Sequence, residues 1–135
     1  MFGLLSQDNQ LTTYSTDQKI SSEFVIASLD HFLANQADKV TLLVLDNASI
    51  HVSKTFRAAC QRWEEKALVV WYLPTYSPHL NRMERRWLRM KYSWLKAPDY
   101  NSMKTLKEAL KRIFDQFAGQ YTINFSTKIV SIISL

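Results

Sequence analysis

The sequence predicts one α/β domain. Three observations carry that reading. Val40 to Leu45 and Leu68 to Leu73 are short continuous runs of mainly branched apolar residues, the pattern of strands covered on both faces of a parallel sheet. Between them Phe56, Ala59, Cys60 and Trp63 recur every three or four positions, giving strand, helix, strand. The 135 residues are 47% apolar with 2 Gly and 3 Pro, enough to bury one core, and nothing marks a linker, an internal repeat or a low-complexity tract.

The remaining elements follow in order. Phe2 to Ser6 and Leu11 to Ser15 are β-like runs separated by Gln7, Asp8, Asn9 and Gln10, which are good turn formers, so a hairpin is expected. Ser21 or Ser22 caps a helix in which Phe24, Val25, Ala27, Leu29, Phe32 and Leu33 line one core face through about Asn35. The central helix spans Ser53 to Glu65. After the second strand, Pro74 and Pro78 impose a rigid extended loop to Leu80, because each fixes its own φ and turns the preceding residue away from helix. Asn81 with Glu84 three residues on is a variant of the capping box and opens a helix to about Lys96; a last helix runs from about Ser102 to Phe117.

Composition bounds the function. No apolar run reaches the roughly 18 residues that cross a bilayer, and Met1 to Gln10 lacks the charged start and apolar stretch of a signal peptide, so a soluble cytoplasmic protein is expected, without membrane partners. The single cysteine, Cys60, reads as a small half-buried hydrophobe rather than a redox group. The net charge of +5 is uneven: residues 1–50 hold two Lys against six acids, and 51–135 hold fifteen Lys and Arg against six acids. A basic half attracts phosphate backbones through counterion release, though a solvated charged face has the same composition.

Two acids stand where chemistry collects. Functional groups of open α/β sheets gather at the carboxyl ends of parallel strands, and Asp46 closes the first of the two strands. Glu84 lies in the first turn of the helix that follows the second strand's loop. A strand-end acid and a helix-start acid can converge on a hard divalent cation such as Mg²⁺ or Mn²⁺, which prefers carboxylate oxygens and water. Residue by residue the bland alternatives stay open: Asp46 as a turn residue, Glu84 as half of a capping box. From Arg82 to Lys96 there are six basic residues and one acid, so this helix can carry phosphate contacts, with Arg85, Arg86 and Arg89 expected on the exposed face and Lys91 on the face of Glu84. Trp87, at helical spacing, reads as core rather than as a stacking platform.

Three linked segments resemble the endonuclease domain of bacterial insertion-sequence transposases of the mariner-like superfamily. They are Leu43-Val44-Leu45-Asp46-Asn47-Ala48-Ser49-Ile50-His51, Tyr72-Leu73-Pro74-Thr75-Tyr76-Ser77-Pro78 and Leu80-Asn81-Arg82-Met83-Glu84-Arg85-Arg86-Trp87. The resemblance extends more weakly over residues 2–117. It implies a ribonuclease-H-like mixed sheet with flanking helices, lacking the first strand, and identifies 1–135 as a partial transposase catalytic domain of the DDE endonuclease type. In that family two Asp and one Glu, or a third Asp, hold two metal ions. The match implies that Asp46 is the second carboxylate and Glu84 the third, with thirty-seven residues between them. One ion helps to activate water or a DNA 3′-hydroxyl and the other stabilises the leaving oxygen during in-line attack on phosphorus. His51, in the family's Asp-Asn-Ala-x-x-His pattern, either orients a metal ligand, touches the scissile phosphate or simply starts a helix, and Asn47 is similarly ambiguous. Tyr76 and Ser77 are expected to brace the loop that delivers Glu84 rather than to contact DNA.

The sequence departs from the family in three places. The strand carrying the first catalytic Asp has no counterpart, and Asp8 and Asp17 lack the strand-end context to replace it. The N-terminal DNA-reading region of the family has none either. Arg82 stands where the family usually has Pro. The expected gap in the sheet exposes backbone edges, and another chain, an upstream transposase portion, a homodimer partner or the apolar tail Lys128 to Leu135 are its candidate covers. The expected function is therefore metal-dependent DNA cleavage and strand transfer in cut-and-paste transposition, incomplete in this chain. The alternative is a noncatalytic DNA-binding or regulatory fragment.

Overall fold

The computed structural model describes residues 1–6, 10–36, 40–77 and 80–117. The centre of the expected hairpin turn, Pro78 and the tail Lys128 to Leu135 lie outside the described residues, as does the expected covering role of that tail.

The hairpin strands are β1 (Phe2–Leu5) and β2 (Leu11–Tyr14), antiparallel with Phe2 opposite Tyr14 and Leu5 opposite Leu11. Helix α1 (Ser22–Ala34) begins at Ser21, whose hydroxyl accepts the Phe24 N–H. Ser22, the other candidate cap, instead donates to the Ile50 carbonyl at 2.8 Å and accepts from the Ser53 hydroxyl at 2.9 Å. Ser53 is itself the cap of α2 (Lys54–Glu64), so one chain of hydroxyls fixes the start of α1 against the start of α2. Farther along, Asp30 of α1 accepts from the Arg62 guanidinium and, at 2.7 Å, from the indole N–H of Trp63. Burying Trp63 therefore leaves no orphan donor.

Strands β3 (Thr41–Leu45) and β4 (Leu68–Tyr72) flank α2 in sequence and pair in parallel, Thr41 opposite Leu68 and Leu45 opposite Tyr72. Among the described residues the two sheets have two strands each and no ladder joins them. The expectation that β3 and β4 are covered on both faces needs correction. Leu43, Leu45 and Leu68 are buried in a cluster with Val25 and Leu29 of α1 and Phe56, Ala59 and Trp63 of α2. On the opposite face Leu42 and Val44 are only half-buried, and their partners Val69 and Trp71 are 41% and 62% exposed. Both helices serve one face, so the unbroken apolar run overstated the covering.

Helix α3 (Arg82–Arg89) lies against β1. Gly3 permits this approach: a Cβ there would stand 2.7 Å from Met83 Cε and 3.3 Å from Trp87 Cζ2. Trp87 is half-buried against the core, as its spacing predicts. The helix does not continue to Lys96 in regular form. It widens into a π-helical turn over Met90–Trp94, closed by the Leu95 N–H donating to the Met90 carbonyl at 2.9 Å, and Leu95 is extended. A short 3₁₀ turn (Ala97–Tyr100) leads to α4 (Met103–Asp115), capped by Ser102. No helix among the described residues is long and apolar enough to cross a membrane.

Candidate active site

Asp46 follows β3 immediately, and three groups meet its carboxylate. Oδ1 accepts the Ala48 N–H at 3.1 Å and lies 2.9 Å from His51 Nδ1; Oδ2 accepts from Asn81 Nδ2 at 3.2 Å. The His51 nitrogen also faces the Asp46 main-chain carbonyl at 3.3 Å. With two acceptors facing it, Nδ1 carries a proton and donates. The ring is fully buried and its Nε2 has no hydrogen-bond partner. His51, with no exposed surface, contacts Asp46. Tyr72 fixes the same turn by donating to the His51 carbonyl at 2.7 Å, and burial, with Cys60 nearby, pushes its hydroxyl pKa up to about 12. Cys60 is half-buried, and burial raises its thiol above the ordinary range, as expected of a packing cysteine.

Burial by itself raises the Asp46 carboxyl, but the hydrogen bonds from His51 and Ala48, the attraction of His51 and the Asn81 hydrogen bond outweigh it and hold the pKa below the ordinary value. The side chain keeps 37% of its surface exposed. Oδ1 thus has both lone pairs engaged by the protein, while Oδ2 takes one donor and keeps a second lone pair.

Glu84 reaches this neighbourhood through Asn81, the buried cap of α3. The Asn81 amide oxygen accepts the Met83 and Glu84 N–H groups at 3.0 and 3.3 Å while its amide nitrogen donates to Asp46. The orientation is fixed chemically, since a flipped amide would set its oxygen against a carboxylate and its NH₂ against two N–H groups. Only the Asn81 half of the expected capping box forms, and the Glu84 side chain stands exposed. Its place in the first turn of α3, where the helix dipole is positive, suits a carboxylate. Sequence reading took Asn81 as a cap and missed this second bond. The signal was the choice of amide: Asp caps as well but has no donor and would repel Asp46.

The other expected site residues separate. Asn47 donates to the Leu73 carbonyl at 2.6 Å and Leu73 donates back to Leu45 at 2.7 Å, so Asn47 ties the two strand-end loops together. Tyr76 has φ 58° and a fully exposed ring, so that ring braces nothing. Arg85, Arg89 and Lys91 are exposed, as expected; the Lys91 ammonium lies 5.2 Å from the Tyr92 ring. Arg86 is a correction. Expected on the exposed face, it is fully buried, with its guanidinium carbon 3.3 Å from the Phe117 ring centre and 5.8 Å from that of Trp94. None of its three nitrogens has a hydrogen-bond partner, and burial lowers its pKa to about 10. Its position explains this: three residues after Met83 and four before Met90, it falls on the core-facing stripe of α3.

Asp46 and Glu84 supply the hard oxygen donors that a divalent cation prefers, and water and phosphate oxygens ordinarily complete such a sphere. Among the described residues no cluster of three or more His, Cys, Asp or Glu could hold a metal ion. The strand-end aspartate and the helix-borne glutamate are linked through Asn81. Residues 1–114 match the family model described as DDE superfamily endonuclease, and the chain belongs to that family. Its function is accordingly of nuclease or transposase type, its substrate class is DNA, and members generally use divalent metals. Comparison with curated proteins gives no match.

Two outcomes follow from this geometry. Because the folded pKa of Asp46 lies below its unfolded value near 3.8, its stabilising contribution is complete above that value and disappears as pH falls through the lower folded one. In metal-free buffer the urea midpoint of the parent will fall more steeply below about pH 4 than that of Asp46→Asn; equal slopes would show that the three donors do not favour the charged form. For Arg86, replacement by Met removes an unpaired buried charge and keeps most of the volume. The urea midpoint should rise, by about 1–2 kcal/mol of stability. A fall would mean that the contacts with Phe117 and Trp94 outweigh the burial.

Proposed function

We propose that the chain is the part of a bacterial insertion-sequence transposase, of the mariner-like superfamily, that holds two of the metal-binding carboxylates for cut-and-paste transposition. Asp46 and Glu84 are those two. The third acid comes from outside the residues described, and the fold is of the ribonuclease-H-like kind. The observation carrying this reading is the arrangement at Asp46: a carboxylate fixed by three donors yet open to solvent, joined through one residue to the first turn of the helix that bears Glu84. A bound Mg²⁺ or Mn²⁺ would neutralise phosphate charge and help to ionise the attacking oxygen.

The protein's own residues have separate tasks. Asp46 and Glu84 bind the cation. His51 and Ala48 fix the first carboxylate, and Asn47 keeps the two strand-end loops in register. Arg85, Arg89 and Lys91, which are exposed, attract the phosphate backbone, and the buried Arg86 is left out of this proposal. No protein nucleophile is needed, since the attacking group is water or a DNA 3′-hydroxyl.

Calorimetric titration with Mn²⁺ tests the reading. The parent should bind, and Asp46→Asn and Glu84→Gln should each abolish the heat of binding while leaving the fold intact by circular dichroism. A folded parent that takes up no Mn²⁺ overturns it. The exposed arginines favour a second reading, a noncatalytic DNA-binding role, under which metal binding is dispensable and salt dependence is not. Arg85→Ala and Arg89→Ala should each lower the slope of log affinity against log salt by about one.

A further inference from the structure

We infer that Asn81 is a positioning residue that sets Asp46 and Glu84 in mutual register, so that the two carboxylates act as one metal-binding unit. This rests on the proposed metal-binding role of the pair. Asn81 is 5% exposed, and its carboxamide is used at both ends. The amide oxygen fixes the Met83 and Glu84 N–H groups, and the amide nitrogen, 3.2 Å from Asp46 Oδ2, fixes the carboxylate. A planar carboxamide holds its nitrogen and oxygen rigidly on one carbon, so any displacement of the α3 N-terminus moves the donor to Asp46 with it. The other side-chain bond to this carboxylate, from His51, belongs to the turn after β3 and carries no information about α3. Asn81 therefore bridges thirty-five positions of sequence and relates the strand-end acid to the helix-start acid.

The chemistry gives this coupling a purpose. A divalent cation tolerates little error in the separation of its ligands, Mg²⁺ least of all. Asp46 is exposed at 37% and Glu84 more so, which leaves both carboxylates open to drift unless their main chains are held in register. A purely structural cap would need only the oxygen of Asn81. The donation to Asp46 is surplus to capping, and it enters on the oxygen that His51 does not contact.

Asn81→Ser and Asn81→Asp separate these roles, because both retain a capping oxygen, while serine is too short to reach Asp46 and aspartate offers no donor. Two readouts are required. In the metal-free protein, the side-chain NH₂ of Asn81, followed by ¹⁵N NMR, should exchange slowly with water and lose that protection in Asp46→Ala; protection unchanged by Asp46→Ala overturns the inference. In Mn²⁺ calorimetry, Asn81→Ser should bind about tenfold more weakly than the parent, the size typical for partners that orient metal ligands. Asn81→Asp is expected to keep the fold and also to lose affinity. Parent-like Mn²⁺ binding by a folded Asn81→Ser overturns the positioning role and leaves the metal-site reading standing. A parent that binds no Mn²⁺ defeats the metal-site reading instead, and the positioning role falls with it.

Discussion

A half-buried carboxylate must be satisfied or it will take up a proton, and much of this molecule is arranged around that requirement at Asp46. The main chain turns after β3 to bring the Ala48 N–H and the His51 ring to one oxygen, and α3 is capped by the residue that can serve the other. The turn is held by Tyr72 from β4, so the parallel pairing of β3 with β4 is also a condition of the site. Satisfying one acid thus links the strand that precedes it, the strand beside it and the helix that brings the second acid.

Burial is used for two opposite ends in the same region. At His51 it shields the hydrogen bond to Asp46 from water, with the ring's Nε2 left without a partner. At Arg86 burial encloses a cation with no hydrogen-bond partner, stabilised by the faces of Phe117 and Trp94. The π-helical turn at Met90–Trp94 belongs to this second arrangement, because Trp94 closes it and lies over the guanidinium.

Local patterns carried most of the fold. The 3.6-residue spacing of Val25 and Leu29, or of Phe56, Ala59 and Trp63, is a direct record of the face that meets the core, and the helix starts were written in Ser21, Ser53, Asn81 and Ser102. The same spacing held the burial of Arg86, which was read instead by its charge. Facts about partners were harder to reach. Composition does not say whether one or both faces of β3 and β4 are covered, because a half-covered apolar strand and a fully covered one have the same sequence. The placement of Asp46 at a strand end and Glu84 in a first turn was legible. The second hydrogen bond of Asn81 was not, since it spans elements distant in sequence and depends on how α3 lands relative to β3.

The open face of β3 and β4 has a bearing on how the protein behaves in solution. Val69 and Trp71 project from a chain whose net charge is +5, so at low ionic strength the molecules repel one another and the apolar surface stays apart. Salt screens that repulsion, with a Debye length of about 8 Å at physiological strength, but does not weaken contact between apolar faces. Raised salt is therefore the condition under which copies of the protein adhere most readily to each other. That sensitivity to salt originates in one partly open side of the β3–β4 pair.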